Sequence, residues 1–106
     1  MGLPIKKAVK IAHGKVGEIY TVQEWAEEME YSSSKYFSRK FRNHFGERPK
    51  SILIRIRVER FFQMLSNNPN ISSYEIAQEI GLRDEIALNK FINRHTGKSP
   101  SEWRKG

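Results

Sequence analysis

Apolar residues recur along this chain at helical intervals, and the polar residues between them mark where helices start and stop. From Pro4 to about Lys15, the residues Ile5, Ala8, Val9 and Ala12 fall at helical spacing, with Pro4 at a first-turn position. Gly14 and Gly17 are expected to break that helix. Thr21-Val22-Gln23-Glu24 then reads as a capping box, with Tyr20 and Trp25 at the hydrophobic-staple positions. The short helix it opens should end near Met29. A longer helix follows from an N-cap near Ser33 to about Phe45, with Phe37, Phe41 and Phe45 as its buried stripe. Gly46 and Pro49 stop it.

The same pattern returns 51 positions later without a gap. Ser72 falls on Thr21, Glu75 on Glu24, Ala77 on Ala26, His95 on His44, Gly97 on Gly46 and Pro100 on Pro49. The second copy has its own box at Ser72 to Glu75, a staple in Ile71 and Ile76, and a helix end near Ile80. Its longer helix is capped by Asp84, carries Leu88 and Ile92 inward, and ends about Thr96. Gly81 serves the turn between the helices, where copy one has Glu30, a residue less suited to a positive φ. Short helix, tight turn, longer helix is the helix-turn-helix pattern, present here twice. Ser99 is expected to cap a last short helix from Pro100 through Trp103, and Trp25 and Trp103 to serve as one core tryptophan per copy.

Lys50 to about Ser66 joins the copies. Its start, Ser51 to Val58, alternates enough to imitate a strand. It reads better as helix, because it holds no internal Gly or Pro and has no partner strand elsewhere. Ile52, Leu53, Ile56, Val58, Phe61, Phe62, Met64 and Leu65 cover most of its circumference, so it must be packed on several faces. The expected architecture is all-α: about seven helices in a single 106-residue unit. Lobe one covers about 4–49, the linker helix about 50–66 and lobe two about 70–106.

Composition narrows the function. The net charge of +7 makes a polyanion the first partner to consider. Absence of cysteine excludes disulfides and thiolate metal sites and fits a cytoplasmic setting. No apolar run reaches membrane-spanning length, and Met1 to Lys10 does not read as a signal peptide. His13-Gly14-Lys15-Val16-Gly17 lacks the spacing and terminal pair of a phosphate loop. Three scattered histidines and no nucleophile–base pair argue against an enzyme, a metal site or a cofactor. The repeated His44 and His95 are accounted for by the helix dipole at a C-terminus.

Charge distinguishes the two longer helices. Ser33 to Phe45 carries Lys35, Arg39, Lys40 and Arg42 with no acid, whereas Lys90 and Arg94 are offset by Asp84 and Glu85. The acids of copy one gather in its short helix at Glu24, Glu27, Glu28 and Glu30. A helix of the first kind suits the major groove of double-stranded DNA.

From about Tyr20 to Arg104 the chain resembles the DNA-binding domain of the AraC/XylS transcription regulators. The resemblance is carried by Trp25-Ala26, Phe37-Ser38-Arg39-x-Phe41-Arg42, Gly46-x-x-Pro49 and Arg57-Val58. In the second half it is carried by Glu75-Ile76-Ala77, Gly81-Leu82, Leu88, Lys90, Ile92 and Gly97-x-x-Pro100-x-x-Trp103-Arg104. It implies seven helices, two recognition helices in successive major grooves, and transcriptional control, usually activation. Base-reading positions carried over from the family fall on Lys35, Ser38 and Arg39, and on Glu85, Ile86, Asn89 and Lys90. Ser34, Lys40, Arg42, Arg48 and Lys98 are expected to contact phosphates, with amides near Ser51 and Ser99. Arg57 is read as structural, bridging the linker helix to a lobe.

Several positions depart from the family pattern. Phe61 replaces a small residue, Leu82 and Leu88 replace aromatics, and Phe91 precedes the usual phenylalanine position, here Ile92. The spacing from Ala26 to Phe41 is one residue longer than the commonest one. Glu85 beside Asp84 repels phosphate, so lobe one is expected to supply most of the affinity. RNA polymerase is a candidate second partner, and the chain has no room for an effector-binding domain. The competing function is a helix-turn-helix scaffold that docks on proteins, with the acidic short helix as its surface.

Overall fold

Five of the seven helices begin with a hydroxyl or carboxylate on an otherwise unpaired amide, and these caps set the phase of the whole chain. In the computed structural model, which describes residues 2–105, the helices are α1 (Ala8–Lys15), α2 (Val22–Glu28), α3 (Ser34–Phe45) and α4 (Pro49–Asn67). They are followed by α5 (Ser73–Glu79), α6 (Glu85–Thr96) and α7 (Pro100–Arg104), and two 3-10 turns cover Ile5–Lys7 and Val16–Glu18. Met1 and Gly106, the outer bounds expected of the single unit, lie outside the described residues. The fold is all-α, as the periodicity predicts, with no strand among the described residues.

At α2 the reciprocal box is complete: Thr21 Oγ1 accepts from the Glu24 amide and Glu24 Oε1 accepts from the Thr21 amide, both at 3.1 Å. The second box is only half formed. Ser72 Oγ accepts from the Glu75 amide at 3.0 Å, but it also donates to Glu75 Oε1, which holds that carboxylate off the Ser72 backbone. The staple at α2 is likewise one-sided, since Trp25 is buried and Tyr20 stays exposed.

Both helix-turn-helix turns close in the same way, in the repeat's own register. The Tyr31 amide donates to the Ala26 carbonyl at 2.9 Å, and the Leu82 amide to the Ala77 carbonyl at 2.8 Å. The residue before each lies in the left-handed region: Glu30 at φ 63 and Gly81 at φ 80.

The buried residues form two clusters. Trp25, Met29, Phe37 and Phe41 pack with α1 and with Ile52, Leu53 and Ile56 of α4. Ile76, Ile80, Leu88 and Ile92 pack with Phe61 from the far half of α4. The joining helix therefore gives its first turns to one core and its later turns to the other, which is why it is apolar on several faces. Its 19 residues span about 28 Å at ~1.5 Å per residue, and the molecule is elongated at 45 × 22 × 21 Å.

Two expectations need correction. Gly14 does not end the first helix but lies inside α1, and Gly17 lies in the 3-10 turn that continues from it. Trp25 is fully buried, its indole N–H donating to the Ala8 carbonyl at 3.1 Å. Trp103 is only half-buried: its N–H goes to Thr96 Oγ1 at 2.8 Å because α7 is too short to be covered on both sides.

Candidate nucleic-acid interface

Helix α3 is fixed from below by aromatic packing. Phe37 and Phe41 place their rings 5.6 and 5.1 Å from that of Trp25. Ser33 Oγ caps the helix through the Tyr36 amide at 3.1 Å. With those positions turned inward, Lys35, Arg39, Lys40 and Arg42 are all exposed. Ser34, Lys35, Ser38, Arg39 and Arg42 line one open depression of about 600 Å³. Lys40 lies one step round the helix, 5.8 Å from the ring centre of Tyr36. Arg48 is exposed at the start of α4, whose first turn has no side-chain cap.

Among the described residues, none of these cations is paired with an acid. The ion pairs are elsewhere, Lys15 with Glu28 at 2.8 Å and Arg55 with Glu47 at 2.6 Å. The acids of α2 are engaged at home: Glu24 holds the amides of Tyr20 and Thr21, and Glu27 accepts from Gln23. Much of the acidity that suggested a protein-docking surface is thus spent inside lobe one.

On α6, Glu85, Ile86, Asn89 and Lys90 are exposed, Ile86 to 66 %. Ile86 and Lys90 line a second depression of about 400 Å³, together with Tyr20, Thr21, Leu82 and Arg83. Glu85 and Asn89 stand on the same helix outside it. Asp84 is less free than its charge suggests, because its Oδ1 caps the Ala87 amide at 2.9 Å.

Neighbouring groups bear on three further expectations. The amide end of α7 is already occupied: Glu102 Oε1 accepts from the Ser99 amide at 2.7 Å, so a carboxylate stands where a phosphate was expected. Lys98 is exposed, yet its ammonium lies 4.8 Å from the ring centre of Trp103. For His95 the helix end is not the whole account. Burial, with Arg94 and Lys50 nearby, pushes its pKa below the ordinary imidazole value.

Tyr36 and Asn43 were not singled out from the sequence, and Tyr20 only as a staple residue. Positions 35, 39, 42, 43 and 46 lie three or four apart on one face, so a helical wheel would have found Asn43 beside Arg39. No local signal places Tyr20 and Thr21 beside α6, since that contact is made across the fold.

A family described as "Helix-turn-helix domain" matches residues 25–106. The chain belongs to the AraC-type helix-turn-helix family. This is a family of DNA-binding transcription regulators and not of enzymes. The AraC-type chain is 32% identical over 101 residues to the Msm operon regulatory protein of Streptococcus mutans, covering 95% of itself and 36% of that relative. It is 34% identical over 73 residues to the raffinose operon transcriptional regulatory protein RafR of Pediococcus pentosaceus, covering 69% of itself and 26% of the relative. It therefore spans only about a quarter to a third of the length of these curated relatives.

Among solved structures, the AraC-type fold superposes on the DNA-binding domain of AdpA, a global transcriptional factor crystallised in complex with a target DNA. The TM-score is 0.78 at 30% identity, covering 97% of this chain and 91% of that one. The C-terminal domain of AraT, a response regulator from Geobacillus stearothermophilus, shares the fold at TM-score 0.80 and 21% identity, over 95% and 83% of the two chains. Among the described residues, no helix is long and apolar enough to cross a membrane.

Proposed function

We propose that this AraC-type domain binds double-stranded DNA sequence-specifically and regulates transcription, with α3 and α6 entering successive major grooves. The observation that carries this reading is the exposed, acid-free cationic face of α3 on a helix held rigidly by Trp25, Phe37 and Phe41. Lys35, Ser38 and Arg39 read base edges there, and Ser34, Lys40, Arg42 and Arg48 bind phosphates. In lobe two, Glu85, Ile86, Asn89 and Lys90 face bases, and Lys98 remains a candidate phosphate contact once it leaves Trp103. The division into lobes at about 4–49 and 70–106, joined by residues 50–66, is the functional one. A long dimension of 45 Å is compatible with two grooves about 34–36 Å apart on one side of the duplex.

The chain would act in the bacterial cytoplasm, as an activator that contacts RNA polymerase once seated on DNA. Selection from random duplexes followed by salt titration tests the reading. Two short motifs about one helical turn apart are expected, with affinity falling by orders of magnitude over about fourfold in salt. A chain that ignores every duplex in dilute buffer overturns it.

A further inference from the structure

Gly17 and Gly81 mark a seam where the two lobes meet backbone to backbone. A Cβ at Gly17 would lie 3.1 Å from the Gln78 carbonyl oxygen and 3.2 Å from that of Glu79. A Cβ at Gly81 would collide with the Val16 carbonyl oxygen and lie 2.7 Å from that of Ile19. The turn at residues 16–18 and the end of α5 therefore touch with no side chain between them. Such a seam crowds carbonyl oxygens from both sides, and each needs a donor.

Arg57 supplies the donors. Its Nε donates to the Ile80 carbonyl at 3.0 Å. Its Nη2 donates to the carbonyls of Ile19 at 2.9 Å and Tyr20 at 3.2 Å, with Gly81 more distant at 3.4 Å. The residue is buried, and the Phe91 ring of α6 lies 5.9 Å from the guanidinium carbon. No carboxylate pairs with it among the described residues. Burial lowers its pKa from the ordinary guanidinium value, opposed by Glu24, and the carbonyl dipoles take the place of a counter-ion. Ile19 and Tyr20 lead into α2, whereas Ile80 and Gly81 lead into α6. One planar fork thus holds the backbone entering the first helix-turn-helix unit and the turn inside the second, which a single ammonium does not match.

We propose that Arg57 locks the two lobes at one relative orientation and so sets the spacing between the two DNA segments that the chain reads. This rests on the DNA-binding function proposed above. A rigid pair of reading heads gains from its second site only at the spacing for which it is built, and a loosened pair tolerates others.

The experiment compares wild type with Arg57→Met and Arg57→Lys on duplexes carrying the selected motifs at native spacing and with inserted base pairs. Wild type should lose about tenfold or more in affinity when about five base pairs, half a turn, are inserted. In Arg57→Met that loss should shrink to about threefold or less. Since the chain has no cysteine, spin labels at Gln23→Cys and Ser101→Cys report the inter-lobe distance without DNA. Their distance distribution should be narrow in wild type and broad in the variant. If Arg57→Met loses its helical circular dichroism, Arg57→Lys carries the test, keeping the stem and charge without the fork. Variants with wild-type spacing dependence and distance width overturn the proposal. A wild type that binds no duplex overturns the DNA-binding function and the spacing role together, while the label distances still decide whether Arg57 holds the lobes.

Discussion

The guanidinium carbon of Arg39 lies 5.6 Å from the ring centre of Tyr36, one turn earlier on the same helix. Tyr36 is 42 % exposed and also rests against Tyr31, so it offers a fixed surface rather than a free one. A cation held over a ring is partly ordered before it meets DNA. Alanine at Arg39 should cost about 1–3 kcal/mol of binding and relax preference at one base pair. Leucine at Tyr36 should cost only about 0.5–1 kcal/mol, but on the specific sequence more than on random DNA. Competition binding on matched and mismatched duplexes measures both; an equal loss on all sequences would reduce Tyr36 to packing alone.

The two recognition helices should not contribute equally. The cations of α3 are unopposed, whereas α6 presents Lys90 beside the exposed Glu85. Alanine at Lys90 is therefore expected to cost less affinity than alanine at Arg39, and Glu85→Gln to strengthen non-specific binding at low salt. Equal losses at Lys90 and Arg39 would show the two lobes to be equivalent.

Glu30 and Gly81 occupy the same turn position in the two repeats, both at positive φ. Glu30→Gly should stabilise the fold by about 1 kcal/mol, since an L side chain is strained there. Gly81→Ala should destabilise by about 2–4 kcal/mol, adding a clash at the lobe seam to the same strain. Urea unfolding of the two variants separates the contributions. Equal and opposite shifts would mean that the seam at Gly81 yields freely.

Acid should loosen the second lobe in two steps. His95 has its pKa lowered from 6.5, so the unfolded chain binds a proton first and stability falls as pH drops through 6.5 toward the folded value. Glu102 is held below 4.5 by the Ser99 amide and hydroxyl. Its contribution is present above 4.5 and is lost as pH falls through the lowered value. Amide protection factors in α7, taken against intrinsic exchange at each pH, should fall across the acid range in wild type, and the lower step should vanish in Glu102→Gln. An unchanged profile in that variant would remove the α7 cap from the account.

The caps were legible because they are local. Thr21, Ser33, Asp84 and Ser99 each serve an amide three residues on, and a spacing of three is visible in any sequence. The half-formed box at Ser72 shows the limit, since residue types permit the reciprocal bond without deciding which way a carboxylate turns. The exposed cations of α3 were legible too, because Phe37 and Phe41 define the buried side and hence the opposite one. Tyr36 and Asn43 lay within reach of the same reasoning. Tyr20 and Thr21 did not, because they reach α6 only after the chain has folded back.

The amino-acid order alone determined seven helices, their boundaries within a residue or two apart from the start of the first, the repeat, and which face of each helix is apolar. All of these follow from periodicity and from bonds between residues three or four apart. Only the tertiary structure decided why Gly17 is glycine, what Arg57 binds, and how one lobe is seated on the other. Those depend on carbonyl groups brought together from positions 19–20 and 80–81. Backbone oxygens are the same in every residue, so no pattern of side chains announces where they will converge.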